Sequence, residues 1–353
     1  MLKRKINVAV VGAGAIAKSV HMPAYLRNSY VNLTAVVDSD FKRARNLAKK
    51  FHVKNIYQSC DELFKQQTID AISLCTPPHT HEEIVLKSFD HNVHVLCEKP
   101  LTIATESGRN MVKAARTKKK ILMVGCHRRF LPNYELAKKS ILEGRLGDVY
   151  WVEDHFLEPH PLFGWARSPW YIQPGVGGVI NDLGPHVFDM FNYLFDDFPI
   201  AVSAHGSTHL HSPVEELCAF LVEYPRKRLG VGMISWQSPA VVDYICAYGT
   251  GQSLYASPIF FWRVNPSRVG EISLLRAATD SLLSMKLSNS SLLSTKRVSP
   301  YKREIDSFVD QVRTGEVSDS NALNALSVLM ACEATKEAFM KGCKIDIPPP
   351  RMA

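Results

Sequence analysis

Three short stretches, far apart in the chain, carry residue types that together can bind a dinucleotide and move a proton. Gly12-Ala13-Gly14 follows an apolar run and Glu98-Lys99-Pro100 follows another. Asp182-Leu183-Gly184-Pro185-His186 follows the glycine cluster Gly175-Val176-Gly177-Gly178. A glycine turn between strand and helix lets backbone N–H groups and the positive helix end approach a pyrophosphate. Lys99 offers a cation at the same kind of strand end. On one helix, Asp182 as cap and His186 would lie at i, i+4 and face the same way. A carboxylate holding one imidazole nitrogen leaves the other free to exchange a proton with a hydroxyl. The plain alternatives are a structural turn, a salt-bridged strand end, and a capping Asp beside a core His. Their co-occurrence in one chain argues for a site.

The glycine run reads Gly12-Ala13-Gly14-Ala15-Ile16-Ala17, with Ala at a third position that the dinucleotide fingerprint permits. Asp38 closes the next apolar run, where an acid accepts hydrogen bonds from the adenosine ribose and favours NAD over NADP. Asp40 is the better helix cap. Thr76-Pro77-Pro78-His79-Thr80-His81 follows another strand-like run. Its prolines stiffen a loop that can lie flat against an apolar ring, while Thr76 offers a hydroxyl. His79 and His81 lack a third ligand at suitable spacing, so no metal is expected.

These residues need a scaffold that gathers strand ends. Ile6 to Val11, Leu33 to Val37, Ala71 to Cys75, Val93 to Cys97 and Ile121 to Val124 are apolar or nearly so, as strands buried on both faces should be. Helical segments such as Phe41 to Phe51 and Glu82 to Phe89 alternate with them. That order means an α/β, Rossmann-type, doubly wound parallel sheet, with ligands at its carboxyl edge. After Arg129 the strands lengthen: Val149 to Phe156, Ile200 to His209, Leu217 to Tyr224, Leu229 to Trp236 and Asp243 to Tyr248. These predict a C-terminal α+β domain with a large, mostly antiparallel sheet, dividing the chain into 1–126 and 127–353. Leu217 to Val222 is apolar at odd and even positions alike, so neither face should meet water, and a homodimer or homotetramer is expected. Lys302 to Thr314 and Ala322 to Met340 read as scaffold helices. Glu271 to Arg297 carries an apolar stripe best read as packing, with a lid or membrane-surface helix as alternatives.

With 353 residues, 46% hydrophobic and 22% charged, the chain has the composition of a globular protein of about two domains. A formal charge of +8 is scattered, its densest runs Lys118-Lys119-Lys120 and Arg226-Lys227-Arg228 falling at turns, so no nucleic-acid partner is expected. Eight cysteines without a C-x-x-C pair read as thiols of a reducing, cytoplasmic compartment. No apolar run reaches the ~18 residues of a membrane span. Leu2-Lys3-Arg4-Lys5 and the apolar stretch after it mimic a secretion signal, but strand, glycine turn and matching acid account for the same residues better.

The chain resembles the glucose-fructose oxidoreductase, inositol dehydrogenase and MocA (Gfo/Idh/MocA) family. The likeness rests on the opening glycine turn, Thr76-Pro77-Pro78 with His81, Val95 to Leu101, Arg129-Phe130-Leu131-Pro132, Gly177-Gly178 through His186 and Asp189, and Tyr301 to Phe308. The resemblance implies an NAD-dependent dehydrogenase or reductase interconverting a secondary alcohol and a ketone on a sugar, sugar-nucleotide or inositol-like substrate. It implies that Lys99 hydrogen-bonds the reacting oxygen, His186 acts as acid/base with Asp182 orienting it, and Glu98 touches the nicotinamide ribose. Arg129 would be the junction residue near cofactor and substrate, and His127 stands where the family often has Asn. Trp165, Arg167 and Tyr171 fall in a segment that lines substrate pockets in relatives; a packed loop is the alternative. Two other outcomes remain compatible with the fold: a non-catalytic dinucleotide or sugar sensor, and a hydrolase or lyase that recycles NAD.

Overall fold

Each unbroken apolar run becomes a strand of one parallel sheet in the computed structural model, which describes residues 5–160, 169–208, 213–264, 299–316 and 319–350. The strands are β1 (Ile6–Val11), β2 (Val31–Val37), β3 (Asn55–Tyr57), β4 (Ala71–Leu74), β5 (His94–Cys97) and β6 (Leu122–Val124). Their order is β3-β2-β1-β4-β5-β6, all parallel. The edge strand β3 has no apolar run in the sequence, because three residues with one polar side chain give no pattern to read. The connections reverse between β1 and β4, which opens a crevice at their carboxyl ends.

The linking helices are α1 (Met22–Leu26), preceded by a π-helical turn over Ala17–His21, then α2 (Phe41–Phe51), α3 (Cys60–Gln66), α4 (His81–Asp90) and α5 (Thr105–Thr117). Asp40 caps α2 by accepting from the Lys42 and Arg43 backbone N–H groups. That frees Asp38 for another task.

Beyond a short helical turn at His127–Phe130 come α6 (Pro132–Leu142), β7 (Val149–Pro159), α7 (Val179–Asp182), α8 (Gly184–Phe195), β8 (Ala201–Ser207) and β9 (Leu217–Tyr224). They are followed by β10 (Arg228–Ser235), β11 (Gln237–Gly249), β12 (Ser253–Ala256), β13 (Phe261–Val264), α9 (Pro300–Thr314), α10 (Asp319–Lys341) and β14 (Ile345–Asp346). The second sheet runs β13-β12-β11-β7-β10-β9-β8-β14, antiparallel except where β7 and β10 pair in parallel. In β9, Cys218, Phe220, Val222 and Tyr224 are buried beneath helices, with Phe220 stacked on Phe188 of α8. On the opposite face Leu217 and Ala219 are half-buried and Leu221 is 39% exposed. Among the described residues, then, only one face of that strand is covered.

α10 touches α5 and β6 on one side and α8 and β8 on the other. Its buried residues, among them Ala325, Leu326, Leu329 and Cys332, occur around the whole helix, as a helix wedged between two layers requires. α9 returns to the first sheet, where Ile305, Phe308 and Val309 join Val8, Val10 and Tyr25 in one core. The segment 271–297 lies outside the described residues.

Candidate active site

The glycine turn is the first component. Gly12 has a φ of +96°, and a Cβ there would lie 2.6 Å from the Cys75 backbone, so only glycine lets β1 and β4 close on each other at this point. Ala13, Gly14, Ala15 and Ile16 are partly exposed at the start of the helix that runs into Ala17–His21. Asp38 accepts from the Ala13 backbone N–H at 2.7 Å and from the Asp40 N–H at 2.9 Å. Each carboxylate oxygen keeps a second lone pair for ribose hydroxyls. An open helix start, a close-packed glycine and an acid beside them fit a dinucleotide.

Glu98 and Lys99 leave the carboxyl end of β5 beside this turn. The Lys99 ammonium donates to the Asp182 carboxylate at 2.5 Å and to the Asp182 carbonyl at 2.9 Å. Burial opposes its charge, but Asp182 outweighs burial and keeps Lys99 protonated. Among the described residues two of its three N–H groups are committed, which leaves the third for an oxygen in the cleft.

From the sequence, Asp182 is expected as helix cap and partner of His186. The structure corrects both points. Asp182 is the last residue of α7 and Leu183, still in helical dihedrals, precedes α8, so Asp182 is not the cap of the helix that carries His186, and its carboxylate has other partners. The Asp182 carboxylate holds Lys99, and its second oxygen accepts from the Trp236 indole N–H at 3.0 Å. Asp182 therefore positions the cation and not the imidazole. His186 is buried, its ring edge-on to Phe156 and to His127, with centroids 5.3 and 5.1 Å apart. Burial, then the charge of Lys99, drives its pKa well below 6.5 and keeps the ring neutral. Among the described residues nothing hydrogen-bonds its buried Nδ1.

The helical turn over 127–130 divides three neighbours, because successive side chains of a 3₁₀ turn point about 120° apart. His127 faces the cleft, stacked on Tyr301 at 4.0 Å, with its pKa pushed down to about 4 by burial and then by Arg128. Arg128 enters the core, pairs with both oxygens of Asp154 at 2.9 Å, reaches Asp243 at 2.6 Å, and donates to the His186 carbonyl at 3.4 Å. Arg129, expected beside the cofactor, is held by Asp189 at 2.5 Å and lines a different crevice of about 240 Å³ with Tyr193, Gln311 and Asn324.

A second correction concerns His81. It is 0% exposed, with Nδ1 3.0 Å from the Leu101 carbonyl and Nε2 2.9 Å from the Thr76 carbonyl. It braces the Thr76 loop against the loop after Lys99 and cannot itself reach a dinucleotide. Thr76 does sit at the turn, 3.0 Å from where a Gly12 Cβ would be, with its hydroxyl 2.7 Å from that of Thr80. Pro77 beside it is exposed.

Tyr171 stacks on Trp170 at 4.0 Å and meets Trp236 edge-on at 6.3 Å. The Tyr171 carbonyl lies 1.9 Å from where a Cβ on Gly177 would be, so the glycine cluster exists to let this turn approach. Burial and then the charge of Asp182 raise the pKa of the Tyr171 hydroxyl, and the Trp236 ring that Tyr171 meets is the donor to Asp182. Trp165 and Arg167 lie outside the described residues.

Three side chains at the site escaped the sequence reading. Trp236 read only as an apolar strand residue. His21 is buried against Glu98 at 2.7 Å, and a lone histidine in a helix gives no signal. Glu158 of β7 has its carboxyl pushed up to about 7 by burial and then by Asp182; one acid near a strand end is indistinguishable from surface charge. Among the described residues no three His, Cys, Asp or Glu side chains gather as a metal would require, and no helix is long and apolar enough to cross a membrane.

Residues 6–126 match the family described as "Oxidoreductase family, NAD-binding Rossmann fold", and residues 134–255 match the "GFO/IDH/MocA C-terminal domain". The chain is similar to D-glucoside 3-dehydrogenase of Escherichia coli (28% identical over 64% of this chain) and to inositol 2-dehydrogenase of Rhizobium meliloti (31% over 56%). The matched stretches span 63% and 58% of those two proteins. A solved structure of levoglucosan dehydrogenase with NADH and L-sorbose shares the fold at a TM-score of 0.84 and 19% identity, covering 98% of this chain and 100% of that one. The chain belongs to the Gfo/Idh/MocA oxidoreductase family, and residues 6–126 are its NAD-binding Rossmann domain.

Proposed function

We propose that this protein is an NAD-dependent dehydrogenase or reductase that interconverts a secondary alcohol and a ketone on a sugar, sugar-nucleotide or inositol-like substrate. The observation that carries the reading is a charged Lys99, held by Asp182 where β5 ends beside a glycine turn fit for a dinucleotide, with the neutral ring of His186 from α8 close enough to feel its charge. When bound, the nicotinamide supplies the hydride chemistry. In the oxidation direction His186 takes the hydroxyl proton, and the free N–H of Lys99 stabilises the alkoxide that forms. Asp182 fixes Lys99, and residues 127–353 supply the substrate side of the cleft. The names of the similar glucoside and inositol dehydrogenases support the substrate class. The test is to incubate the purified protein with NAD or NADH and a panel of sugars, sugar nucleotides and inositols while following nicotinamide absorbance. A sustained change supports a dehydrogenase; no net change during turnover would mean cofactor recycling, and no turnover a sensor.

Cofactor choice rests on Asp38. The 2′-phosphate of NADP would place like charge beside its carboxylate, and unit charges ~4 Å apart at an effective dielectric near 20 interact by about 4 kcal/mol before screening. Arg43 lies 3.8 Å from where a Gly14 Cβ would be and offsets part of that penalty. A preference for NAD of roughly tenfold or more is expected, and Asp38→Ser should weaken it, a change of at least ~1.4 kcal/mol. Tighter binding of NADP than of NAD by the unmodified protein would show that Arg43 governs the ribose site.

A second copy of the chain is the proposed partner, seated on the open face of the large sheet. There Leu221 is exposed, and the stacked rings of His155, Tyr244 and Tyr255 continue the surface. An apolar face that the described residues leave uncovered is costly in water. Light scattering at micromolar concentration should give a mass at least twice that of the chain, and Leu221→Glu should shift it toward the monomer. A monomeric unmodified protein would refute the assignment. A cytoplasmic setting accords with eight free thiols, most of them buried.

A further inference from the structure

His21 does no chemistry in the reading above, yet it is 1% exposed and tied at both ring nitrogens. Its Nε2 lies 2.7 Å from the Glu98 carboxylate and its Nδ1 2.9 Å from the Ser73 hydroxyl, which is 2.6 Å from the Tyr25 hydroxyl. One assignment satisfies every group with a neutral ring. Tyr25 donates to Ser73, Ser73 donates to Nδ1, and Nε2–H donates to Glu98. The chain of donors ends on a carboxylate whose other oxygen accepts from the Lys99 backbone N–H at 3.3 Å. The Glu98 side chain stays 13% exposed, so it still has lone pairs at the cleft. His21 closes the π-helical turn of the same helix that starts on the glycine turn. A single rigid element thus links the pyrophosphate end of the crevice to the Glu98-Lys99 loop, and π turns recur at functional sites for this kind of re-aiming.

We infer that His21 is a positioning residue for the nicotinamide half of the dinucleotide, acting through Glu98. This rests on the proposed NAD-dependent reading. Nothing in the arrangement involves the adenine half, and that asymmetry makes it testable.

Calorimetric titration of NADH, ADP-ribose and ADP into the unmodified protein, His21→Ala, His21→Gln, Glu98→Gln and the double variant H21A/E98Q separates the possibilities. In His21→Ala, NADH and ADP-ribose should bind about tenfold more weakly, while ADP affinity stays within about twofold. His21→Gln, whose amide can still donate to Glu98, should recover most of the loss. The double variant should lose little beyond Glu98→Gln, because both changes remove one interaction. Equal losses for ADP and NADH would mean that His21 merely props the helix, and additive losses would mean that it does not act through Glu98. Either outcome overturns the inference alone. Failure of the unmodified protein to bind NADH would overturn the NAD-dependent reading and this inference with it.

Discussion

Lys99→Met and His186→Ala are each expected to lower turnover by roughly 10²- to 10⁴-fold while the protein stays folded and still binds NADH. The reason is geometric. In the proposed function the glycine turn and Asp38 would hold the dinucleotide without help from either side chain, whereas both would meet the reacting oxygen. Loss of Lys99 would remove the charge proposed to stabilise an alkoxide, and also strands the buried Asp182 carboxylate, which among the described residues keeps only the Trp236 N–H. Near-normal turnover in either variant would remove that residue from the chemistry. The pH profile gives a second check. A general base works when neutral, and burial and Lys99 hold the His186 pKa below 6.5. Oxidation should therefore be insensitive to this ring above pH 6.5 and fall only as pH drops through its lowered pKa. Glu158, its carboxyl pushed up to about 7, and His127, its ring pushed down to about 4, also titrate nearby, and His127→Asn separates the latter from His186. If Glu158→Gln abolished the acid limb, the limb would belong to that carboxyl.

Arg128→Met is expected to destabilise the second domain by ~3–5 kcal/mol, seen as a lower denaturant midpoint in tryptophan fluorescence. Arg128 is 1% exposed and holds Asp154, which is 0% exposed, together with Asp243 and the His186 carbonyl. Removing the cation leaves carboxylates in the core without a counter-charge, and a buried pair costs most when only one partner goes. Activity should fall as well, because the backbone of His186 loses a donor. The neighbouring substitution Arg129→Met is the internal comparison. The Arg129 side chain is 25% exposed, so its Asp189 pair is partly solvated and its loss should cost less. An unchanged midpoint in Arg128→Met would show that the pair only balances its own desolvation.

Local pattern was enough for much of the fold. Residues 6–11, 41–51 and 217–224 form the expected strand, helix and strand with the boundaries read from the sequence, because apolar runs, an Asp40 cap and alternating burial act over a few residues. The gathering of Gly12, Asp38, Glu98 and Lys99 at one edge was also legible, since a doubly wound sheet has one place where carboxyl ends meet. Spacing could not give the partners. Asp182 and His186 are four apart, yet the carboxylate finds Lys99 across 83 residues of chain and the Trp236 indole across 54. His81 became a buried brace because the Thr76 and Leu101 carbonyls converge on it only after β4 and β5 pair. Arg128 and Arg129 look interchangeable in the sequence, and the turn at 127–130 sends one into a buried ion network and the other to a separate crevice. Residue type and periodicity determined which groups exist and which elements carry them. Side-chain direction and partner choice depend on contacts distant in sequence, and only the packing of the two sheets decided those.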